Sequence, residues 1–136
     1  MRAASAPPTT HDHRPRGARR FVPVVAWMGV IFLLSARETL PQPPGFDIDL
    51  TSIVGHFSVY AVLAALTWWA FGAFALTARQ RVLLAFGLAL LYGISDEWHQ
   101  SFVPGRNPDI FDVLVDAIGA AAGITAAVWV ARRVVA

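Results

Sequence analysis

The sequence predicts an all-α fold, a polytopic membrane bundle of four transmembrane helices. Hydrophobic residues make up 56% of the 136 residues and only 15% are charged, which is too apolar for a typical soluble domain. The chain also contains four separate apolar runs, and a helix needs about 20 residues to cross the hydrocarbon core of a bilayer. The predicted helices cover approximately residues 21–37, 53–76, 82–100 and 111–131.

The first twenty residues are rich in Pro, Arg, Ala and Thr, which predicts a disordered basic tail over 1–20 and a transmembrane domain over 21–136. The first helix is short for a membrane span unless Arg20 and Arg37 extend toward the two interfaces. A basic stretch before an apolar run is also typical of signal peptides, but no small-x-small cleavage site follows this one. We therefore expect the run to be a membrane helix.

The middle of the chain contains a proline-rich loop and two further helices. Leu40–Asp47 includes three prolines, which exclude a regular helix and predict an extended loop over one end of the bundle. The second apolar run is long enough to span a bilayer. The third reaches spanning length only if its helix continues through Asp96 to about Gln100.

The fourth apolar run contains two acidic residues and two glycines at helical spacing. Asp112, Asp116, Gly119 and Gly123 follow one another at intervals of four, three and four residues, so they share one helix face. The two glycines form a G-x-x-x-G pattern, which allows close approach of another helix. We favour packing within this chain over a dimer contact.

The positions of the charges predict the orientation. All eleven basic residues are Arg. Most of them lie before the first helix, in the turn between the second and third helices, or after the fourth helix. By the positive-inside rule, both termini are cytoplasmic and the acidic cluster faces outward, in a bacterial cytoplasmic membrane. The chain has no Cys, which excludes disulfides and thiolate metal sites. No nucleic-acid partner is expected, and the sequence specifies no oligomeric state.

Five of the nine acidic residues lie between positions 96 and 116, next to apolar segments where ionisable groups are costly and usually functional. Helical spacing places Asp96, His99 and Gln100 on one face of the third helix, whereas Glu97 points about 100° away, toward water or the loop. His56 and Tyr60 are at the same depth on the second helix. The predicted ligand-binding residues are His56, Tyr60, Asp96, Glu97, Gln100, Arg106, Asp112 and Asp116, and the catalytic candidates are His56, Asp96, Glu97, His99 and Asp112.

A family resemblance rests on three motifs. These are His56-Phe-x-x-Tyr60, the block Asp96-Glu97-x-x-Gln100-x-Phe102-x-Pro104-Gly105-Arg106, and Asp112-x-x-x-Asp116-x-x-Gly119-x-x-x-Gly123. Over about residues 20–131 the chain resembles the VanZ-like family of small bacterial membrane proteins. Two departures are visible: Ser52 and Ile53 stand where the family often has Asp-Lys, and Asp116 stands where it usually has Asn.

The resemblance implies a membrane protein of the cell envelope and, from the family's namesake, an effect on antibiotic resistance to the glycopeptide teicoplanin. It implies no reaction. From the residues themselves we expect recognition of a phosphate-bearing headgroup, of a membrane lipid or a lipid-linked cell-wall precursor. In that hypothesis Arg106 contacts the anion while Asp96 or Asp112 orients a His.

Three alternatives stay open. The first is a membrane-embedded hydrolase or transferase acting on a phosphate-containing lipid, using a His as base or nucleophile or a divalent cation as cofactor. The second is proton-coupled transport, prompted by an inward-facing Asp116. The third is a purely structural polar network that pins the helix ends together. The cation alternative would use the ligands Asp96, His99, Asp112 and Asp116.

Overall fold

The fold is a bundle of four α-helices, seen in a computed structural model that describes residues 17–37, 50–106 and 108–135. A short 3-10 helix at Ala18–Phe21 leads directly into the first α-helix. No strand occurs in these three segments. The helices are α1 (Val22–Ser35), α2 (Leu50–Phe71), α3 (Ala78–Gln100) and α4 (Ile110–Val135).

Three of the helices are long and apolar enough to cross a membrane. By length and composition they are Ala18–Ser35, Leu50–Phe71 and Ile110–Val134. Three such helices in one chain are typical of a multi-pass membrane protein. The prediction of a helical membrane bundle is therefore confirmed. Most of the predicted tail, and the whole Leu40–Asp47 loop, lie outside the described residues.

Both ends of α2 and the start of α3 differ from the sequence prediction by three to five residues, and α4 ends four residues later than predicted. α2 ends at Phe71 although the apolar run continues, because its last turn closes through bonds from Gly72 N to Trp69 O and from Ala73 N to Ala70 O, both 3.1 Å. α3 begins at Ala78 because Thr77 and Gln80 form a capping box, which satisfies two backbone donors at the helix start. The predicted continuation of α3 to Gln100 is confirmed.

The close contact between α2 and α4 depends on the two glycines of the G-x-x-x-G pattern. A Cβ atom on Gly119 would lie 2.4 Å from the carbonyl oxygen of Phe57, and one on Gly123 would lie 2.0 Å from that of Ala61. Both glycines therefore pack directly against the α2 backbone, as expected for small residues in membrane helices. The prediction of packing within the chain is confirmed.

α1 is held to α2 and α3 by two side-chain hydrogen bonds to backbone carbonyls. Trp27 Nε1 donates to Val59 O at 2.8 Å, and the Tyr92 hydroxyl donates to Met28 O at 2.6 Å. These bonds hold the middle of α1 against the middle of α2 and the C-terminal half of α3. The outer faces of the helices carry large exposed apolar side chains, as expected for a surface in contact with lipid.

The bundle has two chemically different ends. At the arginine end, where α2 and α4 finish, guanidinium groups lie over indole rings, with Arg81 3.5 Å from the ring centre of Trp68 and Arg133 4.1 Å from that of Trp129. At the polar end, α1 and α3 finish and α2 and α4 begin. The carboxylates and the histidines of the helices gather there.

Candidate functional site

The polar end contains a buried network of hydrogen-bonding side chains contributed by all four helices. Each helix supplies at least one member: Ser35 from α1, His56 from α2, Asp96, Glu97 and Gln100 from α3, and Asp112 and Asp116 from α4. Such groups are costly to bury in a membrane bundle unless they bond to one another. The predicted gathering of polar side chains at one depth is therefore present.

Asp96 lies at the α1 side of the network. Its Oδ2 accepts a 2.5 Å hydrogen bond from the Ser35 hydroxyl and a 3.2 Å bond from Gln100 Nε2. The Gln100 amide also donates to Glu97 Oε1 at 3.3 Å. Ser35 was missed by the sequence analysis, and the signal that could have found it was a hydroxyl at the last turn of the first apolar run. Asp96 thus joins α1 to α3.

His56 lies between two carboxylates of α4. Its Nδ1 is 2.9 Å from Asp116 Oδ1, within hydrogen-bond distance, and its Nε2 is 3.8 Å from Asp112 Oδ2. The predicted common face of Asp112 and Asp116 is confirmed, since both reach the same imidazole. The expectation that Asp96 or Asp112 orients a His is corrected: Asp116, which is fully buried, makes the short bond that fixes the ring.

Glu97 is turned toward the loop before α4, which is one of the two outcomes expected from its helical angle. Its Oε2 accepts a 2.9 Å hydrogen bond from the backbone N of Asp109. The carboxylate is also buried rather than hydrated. Glu97 consequently offers an oxygen to the same small volume as His56 and Asp112, where one potential ligand atom from each lies within 4.8 Å of the others.

His99 lies apart from these groups. Its ring packs against Phe32 of α1, with a centroid separation of 4.5 Å, and its Nε2 has no hydrogen-bond partner among the described residues. His99 follows Asp96 by three residues and so lies about 60° away around the helix, where its imidazole meets Phe32 rather than Ser35 of α1. The structure therefore corrects the expectation that His99 stands with Asp96 and Gln100 as a group available to the carboxylates.

A cavity of about 220 Å³ opens beside the network, between α1, α2 and α3. Its lining includes the polar side chains of Ser35, Ser52, His56, Tyr60, Asp96 and Arg106. Arg106 is anchored by a 3.2 Å bond from its Nε to Arg37 O. Tyr60 is fully buried and stacks on His56 at 6.4 Å, and its hydroxyl has no partner among the described residues. The pocket thus combines a guanidinium, an imidazole, hydroxyl groups and the Asp96 carboxylate.

The geometry permits three kinds of chemistry. A guanidinium and hydroxyl groups can bind an anionic headgroup. An imidazole whose Nδ1 is held by a carboxylate can use Nε2 as a base. Imidazole and carboxylate atoms that converge within a few ångströms can bind a divalent cation. The predicted ligand set Asp96, His99, Asp112 and Asp116 does not converge in this way, because Asp96 and Asp116 have other partners and His99 lies on Phe32.

The polar network lies within a region of the chain that matches a known protein family. The family model described as VanZ/LLP1 matches residues 20–131, which includes every residue of the polar network. The chain belongs to the VanZ/LLP1 family. The resemblance inferred from the sequence motifs is confirmed.

The VanZ/LLP1 chain also resembles one curated protein. It is 29% identical over 96 residues to an uncharacterized protein of Schizosaccharomyces pombe, and the match covers 71% of this chain and 57% of the yeast protein. The chain therefore spans little more than half the length of that relative. No solved structure matches the chain at a significant level.

Proposed function

We propose that this VanZ/LLP1 protein recognises the phosphate-bearing headgroup of a membrane lipid or of a lipid-linked cell-wall precursor. The observation that carries the proposal is the pocket at the polar end, which is lined by the Arg106 guanidinium, the Ser35 hydroxyl and the His56 imidazole. A guanidinium matches the geometry of a phosphate, and hydroxyl groups supply further hydrogen bonds. The apolar helix faces outside the pocket would accommodate the lipid tails.

The size of the cavity supports a headgroup rather than a whole lipid. Its volume is about 220 Å³, below the roughly 300–1,000 Å³ of sites that enclose a drug-sized ligand. A headgroup alone fits such a space, with its chains left in the bilayer. The cavity also lies at the helix ends, which is the depth of lipid headgroups in a membrane.

The test is native mass spectrometry of the protein purified gently from its own membranes. We expect the wild-type protein to retain a phosphate-bearing adduct and Arg106→Ala to lose it, because Arg106 is the one guanidinium among the described residues that line this pocket. Arg106→Lys should retain part of it, since an ammonium keeps the charge but not the planar pair of donors.

Arg79→Ala is the matched control, because it removes a guanidinium at the arginine end and leaves the pocket untouched. An adduct kept by folded Arg106→Ala would contradict the assignment of Arg106 to the anion. In a bacterial host, teicoplanin susceptibility gives a second readout: the proposal expects wild type and Arg79→Ala to change it and Arg106→Ala not to.

A second candidate function is hydrolysis or group transfer on a phosphate-containing lipid. The His56–Asp116 hydrogen bond favours it, since a carboxylate on Nδ1 orients the ring and leaves Nε2 to act as a base or nucleophile. Release of phosphate from a lipid phosphate by wild type, lost in His56→Gln, would distinguish catalysis from binding. A stable adduct without turnover would favour recognition alone.

We also infer that the arginine end faces the cytoplasm and that α3 crosses the membrane with the other three helices. The excess of Arg at that end supports the orientation. α3 has 23 residues, which at about 1.5 Å per residue is enough to cross the hydrocarbon core. Its charged residues lie near its two ends. A fluorescent protein fused after the last residue should therefore mature and fluoresce, whereas a periplasmic alkaline phosphatase fused there should be inactive.

A further inference from the structure

We propose that His56, Glu97 and Asp112 bind one divalent transition-metal cation at the polar end of the bundle. This inference rests on the proposed function, because the cation would lie beside the headgroup pocket and bind the phosphate together with Arg106. The ligand set differs from the one that helical spacing suggested. It consists of one imidazole and two carboxylates from α2, α3 and α4.

The three residues converge although they are far apart in sequence. One ligand atom from each lies within 4.8 Å of the others. His56 Nε2 and Asp112 Oδ2 are separated by 3.8 Å. That distance is too long for a direct hydrogen bond, but two ligands about 2.1 Å from a shared ion are separated by about 3–4 Å. The spacing is therefore compatible with a cation shared by the two side chains.

The orientation of His56 is the second observation that points to a metal. Its Nδ1 is held at 2.9 Å by Asp116, which is 0% exposed. Metal-binding histidines characteristically use one ring nitrogen as the ligand while the other donates to a carboxylate or carbonyl, which fixes the tautomer and the ring angle. Asp116 supplies that carboxylate, so Nε2 is the nitrogen left to face Glu97 and Asp112.

The second carboxylate is oriented in the same manner. Glu97 accepts hydrogen bonds from the backbone N of Asp109 at 2.9 Å and from Gln100 Nε2 at 3.3 Å. Hydrogen bonds of this kind to ligating carboxylates are characteristic of built metal sites. The two bonds engage both carboxylate oxygens of Glu97, and each oxygen has lone pairs for more than one partner. The side chain is thus positioned before any ion arrives.

The local charge also favours a cation. Asp96, Glu97, Asp112 and Asp116 are four carboxylates at the end of one small bundle, and an anionic headgroup would be repelled by them. A divalent cation offsets this charge and offers its remaining coordination positions to phosphate oxygens. The cation would thereby explain how an acidic site can hold a phosphate group.

The donor set indicates the class of metal. One nitrogen and two carboxylate oxygens suit Zn²⁺ or Mn²⁺, whereas Ca²⁺ and Mg²⁺ favour oxygen ligands alone. Three protein ligands also leave at least one position open, which is typical of sites that bind a substrate or water. The proposed site is therefore one for a transition-metal cation with an exchangeable position.

The test uses Mn²⁺ as the probe, added to metal-free full-length protein in detergent, with free Mn²⁺ measured by electron paramagnetic resonance. We expect wild type to bind one Mn²⁺ per chain, competed by Zn²⁺. Asp112→Asn should weaken binding by about tenfold or more, because a neutral amide replaces an anionic ligand. Asp112 is partly exposed, so this variant should fold.

Asp109→Asn is the matched control, since it removes a carboxylate at the same end while its amide oxygen can still accept the 2.9 Å bond from Phe111 N. It should bind Mn²⁺ like wild type. Glu97→Gln provides a second ligand variant, with tryptophan fluorescence melting as the check on folding. Equal binding by wild type, Asp112→Asn and Asp109→Asn, or no binding by folded wild type, would overturn the proposal.

The two proposals fail separately. A lipid adduct that survives chelation and persists in Asp112→Asn, without Mn²⁺ binding by wild type, would eliminate the cation and leave headgroup recognition standing. Mn²⁺ binding that depends on Asp112, in a protein that carries no adduct from its membranes, would support the cation and count against the headgroup. Loss of the adduct on chelation, and its return with Mn²⁺, would support both.

Discussion

Gly123→Ala is expected to lower the free energy of unfolding by about 3 kcal/mol or more, at the upper end of overpacking effects. The added Cβ would lie 2.0 Å from the carbonyl oxygen and 2.6 Å from the carbonyl carbon of Ala61. Backbone atoms cannot relieve the overlap by changing rotamer, as a side chain can, so α2 and α4 must move apart. The separation would also remove contacts of Ala120 and Ile124 in the core.

The measurement is a denaturation curve in detergent, followed by tryptophan fluorescence. Gly119→Ala should behave similarly, because its Cβ would lie 2.4 Å from Phe57 O. Gly87→Ala is the matched control: apart from the backbone of its own helix, no atom of the described residues lies within 4 Å of its Cβ position, and alanine is the better helix former by about 1 kcal/mol. A Gly123→Ala protein as stable as Gly87→Ala would show that α2 and α4 are not packed this closely.

The expected disturbance would extend to the polar end. Asp116 lies on the same face of α4 as Gly119 and Gly123, and its Oδ1 bonds to His56 of α2 at 2.9 Å. A shift of α4 away from α2 would lengthen that bond. The glycines therefore have a functional consequence, since they set the distance at which the two helices present their site residues.

The fold could be predicted from the sequence largely because membrane helices are specified by apolar length. Four runs gave four helices, but the boundaries of α2 depended on local contacts that hydropathy does not contain. Arg81 Nε, for example, donates to the carbonyl of Trp68 at 2.6 Å, which satisfies one of the last free carbonyls of α2. The Thr77–Gln80 capping box was visible in the sequence and would have given the start of α3.

The site could be predicted only in part. Helical spacing identified the common face of Asp112 and Asp116, because that relation lies within one helix. Spacing alone gave no information on which neighbouring helix each side chain meets. Ser35 was missed for this reason, His99 was assigned to the wrong neighbours, and Asp116, rather than Asp96 or Asp112, proved to be the carboxylate that holds His56.

Asp116→Ala is the second substitution with a large expected effect, a loss of about 3–5 kcal/mol of stability, typical of removing one partner from a buried pair. Asp116 is 0% exposed and bonds to His56 Nδ1. Its removal leaves a buried ring nitrogen without an acceptor and opens a cavity. Asp116→Asn keeps an oxygen at the same position, so it should cost less than about 1.5 kcal/mol.

A double-mutant cycle with His56→Ala separates this interaction from general packing. If the pair is coupled, the double variant will lose less stability than the two single variants together, by about 0.5–3 kcal/mol. Additive losses would mean that the 2.9 Å contact contributes little and that Asp116 is needed only to fill volume.

If the pair is coupled, Asp116→Asn should remain folded but should orient His56 less strongly, because a neutral amide replaces the carboxylate. The Mn²⁺ affinity of this variant should therefore be about tenfold or more below that of wild type. If Asp116→Asn folds like wild type but binds Mn²⁺ more weakly, Asp116 positions His56 for the metal. A role in stability alone would not reduce the Mn²⁺ affinity of a folded variant.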